Sequence, residues 1–320
     1  MMQLAPQPKT LPGNKIAVLL MAHGGPHSLD DVEPMLKHIM KHRSPTPEII
    51  GIIKERYRLI GGKSPHLEIT TRQAQALQRE LNLHGDRFRV YVGMRHWTPF
   101  IKDAVDQIVL DHPSFLVAIP LAPHYSKISV GAYVSSFKKA WEEAGCSVPM
   151  AVIEGFHDHP LLLSAFSEKV QKALDKYPAS LRNSVVTLFT AHALPETILA
   201  DGDPYPMELE KTVAGIVKNI GLTSWRFAYQ SRGMTQERWL GPEVEEVINT
   251  LSKKGVKHLL VAPIGFVSDH VEILYDVDIL YKEMAKTKGI ALTRSESLNT
   301  SERFVSALAS LVHKHIPSSA

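Results

Sequence analysis

Only one cysteine, Cys146, occurs in 320 residues, which excludes an internal disulfide and any iron-sulfur cluster held by this chain's own four thiolates. A reducing compartment is the expectation, and the cytoplasm is the natural one. No apolar run approaches the ~20 residues that span a bilayer. The first 14 residues, broken by Pro6, Pro8, Pro12 and Gly13, hold no apolar stretch of signal-peptide type. No transmembrane segment is expected. Like charges do not cluster, since 36 Lys and Arg are scattered among 33 Asp and Glu for a net charge of +3, so no nucleic-acid partner is expected. Gly-x-Gly-x-x-Gly and Walker patterns are missing after the first apolar run, which argues against a phosphate-cradling cleft. Nor is there a His-Glu-x-x-His or a Cys-x-x-Cys to supply a local metal motif.

What the chain does contain is alternation. Short β-rich apolar runs alternate with stretches of helical period, the pattern of βαβ units on parallel sheets. Four strands are predicted per half: near 16–22, 87–93, 115–121 and 149–153, then near 184–190, 225–230, 257–264 and 289–293. The fold class expected is α/β, with two similar Rossmann-like lobes, each a four-stranded parallel sheet flanked by helices, and a cleft between them. The lobes are placed at 15–155 and 156–320, with the C-terminal helix free to pack across. Ala22-His23-Gly24-Gly25-Pro26 and Ala191-His192-Ala193-Leu194-Pro195 each follow a strand-length run, and an element that recurs at half the chain's length points to duplication.

Open α/β sheets bind ligands outside the carboxyl ends of their strands. His23, His124, His192 and His270 are expected there. Glu272 and Asp276 share a face if the segment after Asp269 is helical, and Glu283 returns to it. Glu272 stands among Val271, Ile273 and Leu274, and a carboxylate in apolar surroundings needs a partner. Imidazole and carboxylate together suit borderline divalent metals and pass protons near neutral pH. Residue chemistry alone reaches a cleft with histidine and glutamate, and no further.

Four blocks in order extend the reading. They are Phe189-Thr190-Ala191-His192-Ala193-Leu194-Pro195; Gly202-Asp203-Pro204-Tyr205; Gln230-Ser231 followed by Trp239-Leu240-Gly241-Pro242; and Gly265-Phe266-Val267-Ser268-Asp269-His270-Val271-Glu272. Together the chain resembles the ferrochelatases, which insert ferrous iron into a porphyrin in haem biosynthesis, over about residues 16–313. The resemblance implies that His192 and Glu272 are the catalytic, metal-contacting pair, and that Arg56, Tyr57, Ser64 and Tyr133 contact the tetrapyrrole. It implies Fe2+ and porphyrin as substrates, no permanently bound cofactor, no iron-sulfur cluster, and other haem-pathway enzymes as conceivable partners. Within the family the chain is similar to the short Gram-positive form, associated with coproporphyrin III in place of protoporphyrin IX.

Three departures from that form stand out. His23 occupies a position where it has tyrosine as a ligand to product iron, so His23 is a candidate metal ligand and substrate contact. Met40 stands where it tends to carry a propionate-binding arginine, leaving Arg43 as a substitute. Leu280 interrupts its acidic row, which Glu283 is expected to continue alongside Asp276 as a proton or metal path. The competing readings are a chelatase for cobalt or another tetrapyrrole, and a non-catalytic haem or porphyrin carrier.

Overall fold

The computed structural model describes residues 15–40, 44–233 and 235–317. The eight strands are β1 (Ile16–Ala22), β2 (Phe88–Met94), β3 (Phe115–Pro120), β4 (Met150–Val152), β5 (Val186–His192), β6 (Trp225–Gln230), β7 (His258–Pro263) and β8 (Ala291–Arg294). They form two all-parallel sheets with matching orders, β2-β1-β3-β4 and β6-β5-β7-β8. This is the predicted architecture, and the shared strand order is what a duplicated unit would show.

Strand side chains alternate between two environments, as the period of two requires. In β1, Ala17, Leu19 and Met21 pack outward against Val105, Ile108 and Phe137. Ile16, Val18 and Leu20 face inward into a core that also holds Phe189, Ala191, Leu260, Ala262 and Phe304. The second sheet repeats the division, with Leu188, Leu259 and Val261 on its outer face against Ile248 and Tyr281. Inner faces of both sheets thus share one apolar core. It is filled by helices His66–Leu81, Pro160–Asp175, Tyr205–Ile220 and Glu302–His315. The last of these, the C-terminal helix, packs across onto His66–Leu81 of the first half.

Each sheet changes winding direction beside its first strand, between β1 and β3 and between β5 and β7. Such switch points open a crevice beyond the strand ends. His23 follows β1, and His192 is the last residue of β5.

Helix boundaries follow local chemistry. Thr46 caps Pro47–Leu59 by accepting from the Ile49 N–H at 3.3 Å, and Pro47 occupies the first turn, where a missing N–H costs nothing. Helix Val32–Ile39 opens after Asp31 and buries Met35 and Leu36, with Pro34 in its first turn. One prediction about helical geometry fails. After a single α-turn at Val271–Leu274 the chain winds as a π-helix over Asp276–Tyr281, and the Leu280 N–H reaches the Tyr275 carbonyl at 2.9 Å. The wider turn rotates everything that follows. Glu283 therefore does not return to the Glu272 face; it is exposed and paired with Lys286.

Candidate active site

The cleft between the lobes holds about 1030 Å³ of space, its open mouth included. Ala22, His23 and Gly24 line it from β1, and His192 and Leu194 from β5. Residues 265–268 and 270–272 close it from the segment after β7. This loop lies flat on β5 because Gly265 has no side chain: a Cβ there would stand 2.7 Å from the Ala191 Cα.

His192 Nδ1 lies 3.1 Å from Glu272 Oε2. The contact is an ion pair when the imidazole is protonated, and it lacks hydrogen-bond alignment, since Nδ1 has no aligned hydrogen-bond partner among the described residues. Burial works against the charge on His192, yet the Glu272 carboxylate outweighs it and raises the imidazole pKa above its ordinary value. Burial likewise works against ionised Glu272, but His192 and His270 hold the carboxyl well below the usual range. His270 Nε2 approaches the same oxygen, Oε2, at 3.7 Å. The backbone of the pair is fixed from behind. Gln230 Nε2 donates to the Glu272 carbonyl at 2.9 Å while its Oε1 accepts from Thr190 at 2.7 Å, and Tyr205 donates its hydroxyl to the His192 carbonyl at 3.0 Å.

His23 faces the same cleft from the first lobe. Although the ring is exposed to the open cleft, the protein packed around it is the largest influence and lowers its pKa below the ordinary value. Its Nδ1 lies 3.0 Å from the Gly24 carbonyl, so Nδ1 carries the proton and Nε2 keeps its lone pair. The ring leans on His96, with centroids 4.6 Å apart. Tyr57, Ser64 and Tyr133 also line the cleft.

Arg56 does not line it. Its guanidinium stands 3.6 Å from the buried Asp276 carboxylate and 5.1 Å from the Tyr275 ring. There it helps to line a neighbouring cavity with Ser231, Glu243, Glu245 and Asp276. Asp276 accepts from the Ser231 hydroxyl at 2.5 Å, and burial raises its pKa to about 6. Arg43 lies outside the described residues. Sequence reasoning missed His66, a neutral buried imidazole on the cleft wall whose pKa burial lowers to about 3. It opens a helix in a stretch without metal or catalytic motif, and nothing in its spacing distinguishes it.

Two lobes of like topology, closing on an imidazole and a carboxylate, define a chelatase-type protein. Among solved structures, the sirohydrochlorin chelatase of Bacillus subtilis subspecies spizizenii in complex with cobalt matches at a TM-score of 0.56. The match covers 94% of each chain at 10% sequence identity, a likeness of fold alone. The ferrochelatase family pattern matches residues 15–316. A ferrochelatase of Herpetosiphon aurantiacus is 41% identical over 299 residues, covering 93% of this chain and 98% of its own. The coproporphyrin III ferrochelatase of Geobacillus thermodenitrificans is 40% identical over 304 residues, covering 94% and 96%. The chain belongs to the ferrochelatase family, the enzymes that insert iron into porphyrins.

Proposed function

We infer that this ferrochelatase takes coproporphyrin III in preference to protoporphyrin IX and works in the cytoplasm without a resident cofactor. The substrate preference is supported by the 40% identity to an enzyme named for coproporphyrin III. Among the described residues no helix is long and apolar enough to cross a membrane, which fits a site of action away from the bilayer.

The observation that carries the chemistry is the 3.1 Å contact of His192 with Glu272 on the cleft wall. Metal insertion requires two pyrrole protons to leave while ferrous iron exchanges its water for ring nitrogens. Glu272, held ionised, receives the iron. A dication beside that carboxylate repels the imidazolium proton, so His192 becomes the neutral base that accepts from the pyrroles. Asp276, one helical turn on, continues the path toward solvent together with Ser231 and Arg56. On the opposite wall His23 offers Nε2 as an axial ligand to product iron, and Tyr57, Ser64 and Tyr133 hold the ring.

Anaerobic metallation of coproporphyrin III and protoporphyrin IX by purified protein tests the preference. Faster turnover of coproporphyrin III is expected; equal or faster turnover of protoporphyrin IX would overturn it. A carrier, in contrast, would bind both porphyrins and iron without turnover.

A further inference from the structure

Arg294, the last residue of β8, makes the most connected polar contact outside the cleft. Its Nε and Nη2 donate to Asp278 Oδ1 and Oδ2, both at 2.8 Å, in a two-pronged contact with the π-helix. From the same guanidinium, Nη1 donates to Asp269 Oδ1 at 3.2 Å. Asp269 and Asp278 lie on either side of Glu272 in the chain. One planar group therefore ties down the loop that enters the Glu272 turn and the wide helical turn that leaves it. Lysine could supply the charge but not this geometry, because its ammonium presents a point and not a fork.

The arrangement is built and not incidental. Arg294 is largely buried, and Asp269 is satisfied on both oxygens: Ser297 donates to Oδ1 at 2.7 Å and Asn299 Nδ2 to Oδ2 at 2.8 Å. Asn299 returns the contact by accepting from the Asp269 N–H at 2.9 Å. It does so from a left-handed backbone conformation, φ 45°, which asparagine tolerates better than most residues. The network then reaches the first lobe. Gln73, fully buried on the helix that begins at His66, donates Nε2 to the Asn299 carbonyl at 2.8 Å. A chain of side chains thus runs from the cleft-lining helix of one lobe to both ends of the Glu272 segment of the other.

A bidentate fork that holds two carboxylates limits both rotation and translation of the segment between them. The position most sensitive to such a shift is Glu272, whose distance from His192 sets the electrostatics of the pair. We propose that Arg294 is a positioning residue for metal insertion, clamping Asp269 and Asp278 so that the Glu272 carboxylate stands against His192. This rests on the assignment of Glu272 and His192 to the chemistry. It gives Arg294 a role through them and not on the substrate.

The test uses full-length R294K, R294M, D278N, E272Q and the double variant R294M/E272Q, assayed for iron insertion with porphyrin binding followed by fluorescence. R294M and R294K should lose about 10- to 100-fold in kcat with KM for porphyrin within about threefold of wild type, the pattern of a misplaced catalytic group. D278N should lose less. The double variant should be no slower than E272Q, because a residue that acts through Glu272 has nothing further to remove. Wild-type kcat in R294K and D278N, or losses that multiply in the double variant, would overturn the proposal. If R294M does not fold, R294K and D278N decide the matter, since R294K keeps the charge and D278N the side-chain volume. An E272Q variant with normal turnover would instead sink the assignment of Glu272, a result readable without any Arg294 variant.

Discussion

Arg56 reaches from a helix of the first lobe to within 3.6 Å of Asp276 on the π-helix of the second, yet Asp276 still holds its proton more tightly than an ordinary aspartate. Burial of the carboxylate outweighs the guanidinium, which is a third exposed and correspondingly screened. The acid one turn on from Glu272 therefore titrates near pH 6, where it can carry either a proton or a charge.

That shift has a stability consequence. The folded pKa of Asp276, about 6, lies above its ordinary value of 3.8. Its contribution is fully present below about pH 4 and is lost as pH rises through 6. Asp276→Asn should consequently stabilise the protein at pH 8 by roughly 1–3 kcal/mol, with the gain shrinking toward pH 5. Urea denaturation at the two pH values checks this, and an equal effect at both would contradict it.

His66 and His124 behave in the opposite sense. Both are buried and neutral, with pKa values lowered to about 3 by burial. Their stabilising contribution is present above about pH 6.5 and declines as pH falls from there toward 3, at up to about 1.4 kcal/mol per pH unit for each histidine. His124 Nε2 meets the Thr212 hydroxyl at 2.9 Å. His124→Asn should reduce proton uptake on unfolding at pH 5 by about one proton, measured by the pH dependence of the denaturation midpoint.

Replacing His192 by alanine should lower kcat for iron insertion by about 10²- to 10⁴-fold, the usual worth of a positioned proton acceptor, while porphyrin still binds. Stopped-flow metallation with a fluorescence binding control separates the two effects. Near-normal turnover would remove His192 from the mechanism.

The raised pKa of His192 depends on Glu272. In the substrate-free protein its imidazole should titrate above the ordinary 6.5. In Glu272→Gln it should titrate lower, because only desolvation then remains as a large influence. Histidine NMR titration reads this directly, and an unchanged value in the variant would show that the carboxylate is not its partner in solution.

His23 should leave its mark on the product. With Nδ1 engaged by the Gly24 carbonyl, Nε2 is free to bind iron. His23→Ala should change the absorption spectrum of the iron-porphyrin complex and speed its release. An unaltered spectrum would mean that His23 is no axial ligand.

The strands were legible because both sheets are parallel and buried, so they read as continuous apolar runs such as Ile16–Ala22 and His258–Pro263. The His192 and Glu272 positions were legible because blocks of local sequence carry them. What the sequence concealed depends on winding and on distance. A π-turn has no simple residue signature, so Glu283 was expected on the Glu272 face and lies elsewhere. The resemblance implies that Arg56 contacts the tetrapyrrole, and no spacing announces that its guanidinium stands 3.6 Å from the Asp276 carboxylate. The ties between Arg294, Asp269 and Asp278, and between Gln73 and Asn299, join elements remote in the chain, and no spacing announces them.

Because Ile16, Val18 and Leu20 of one sheet and Phe189, Leu260 and Ala262 of the other close into a single apolar mass, the two jaws cannot swing apart without wetting it, at about 25 cal/mol for each Å² uncovered. The width of the cleft is thus set by the same burial that folds the two lobes together.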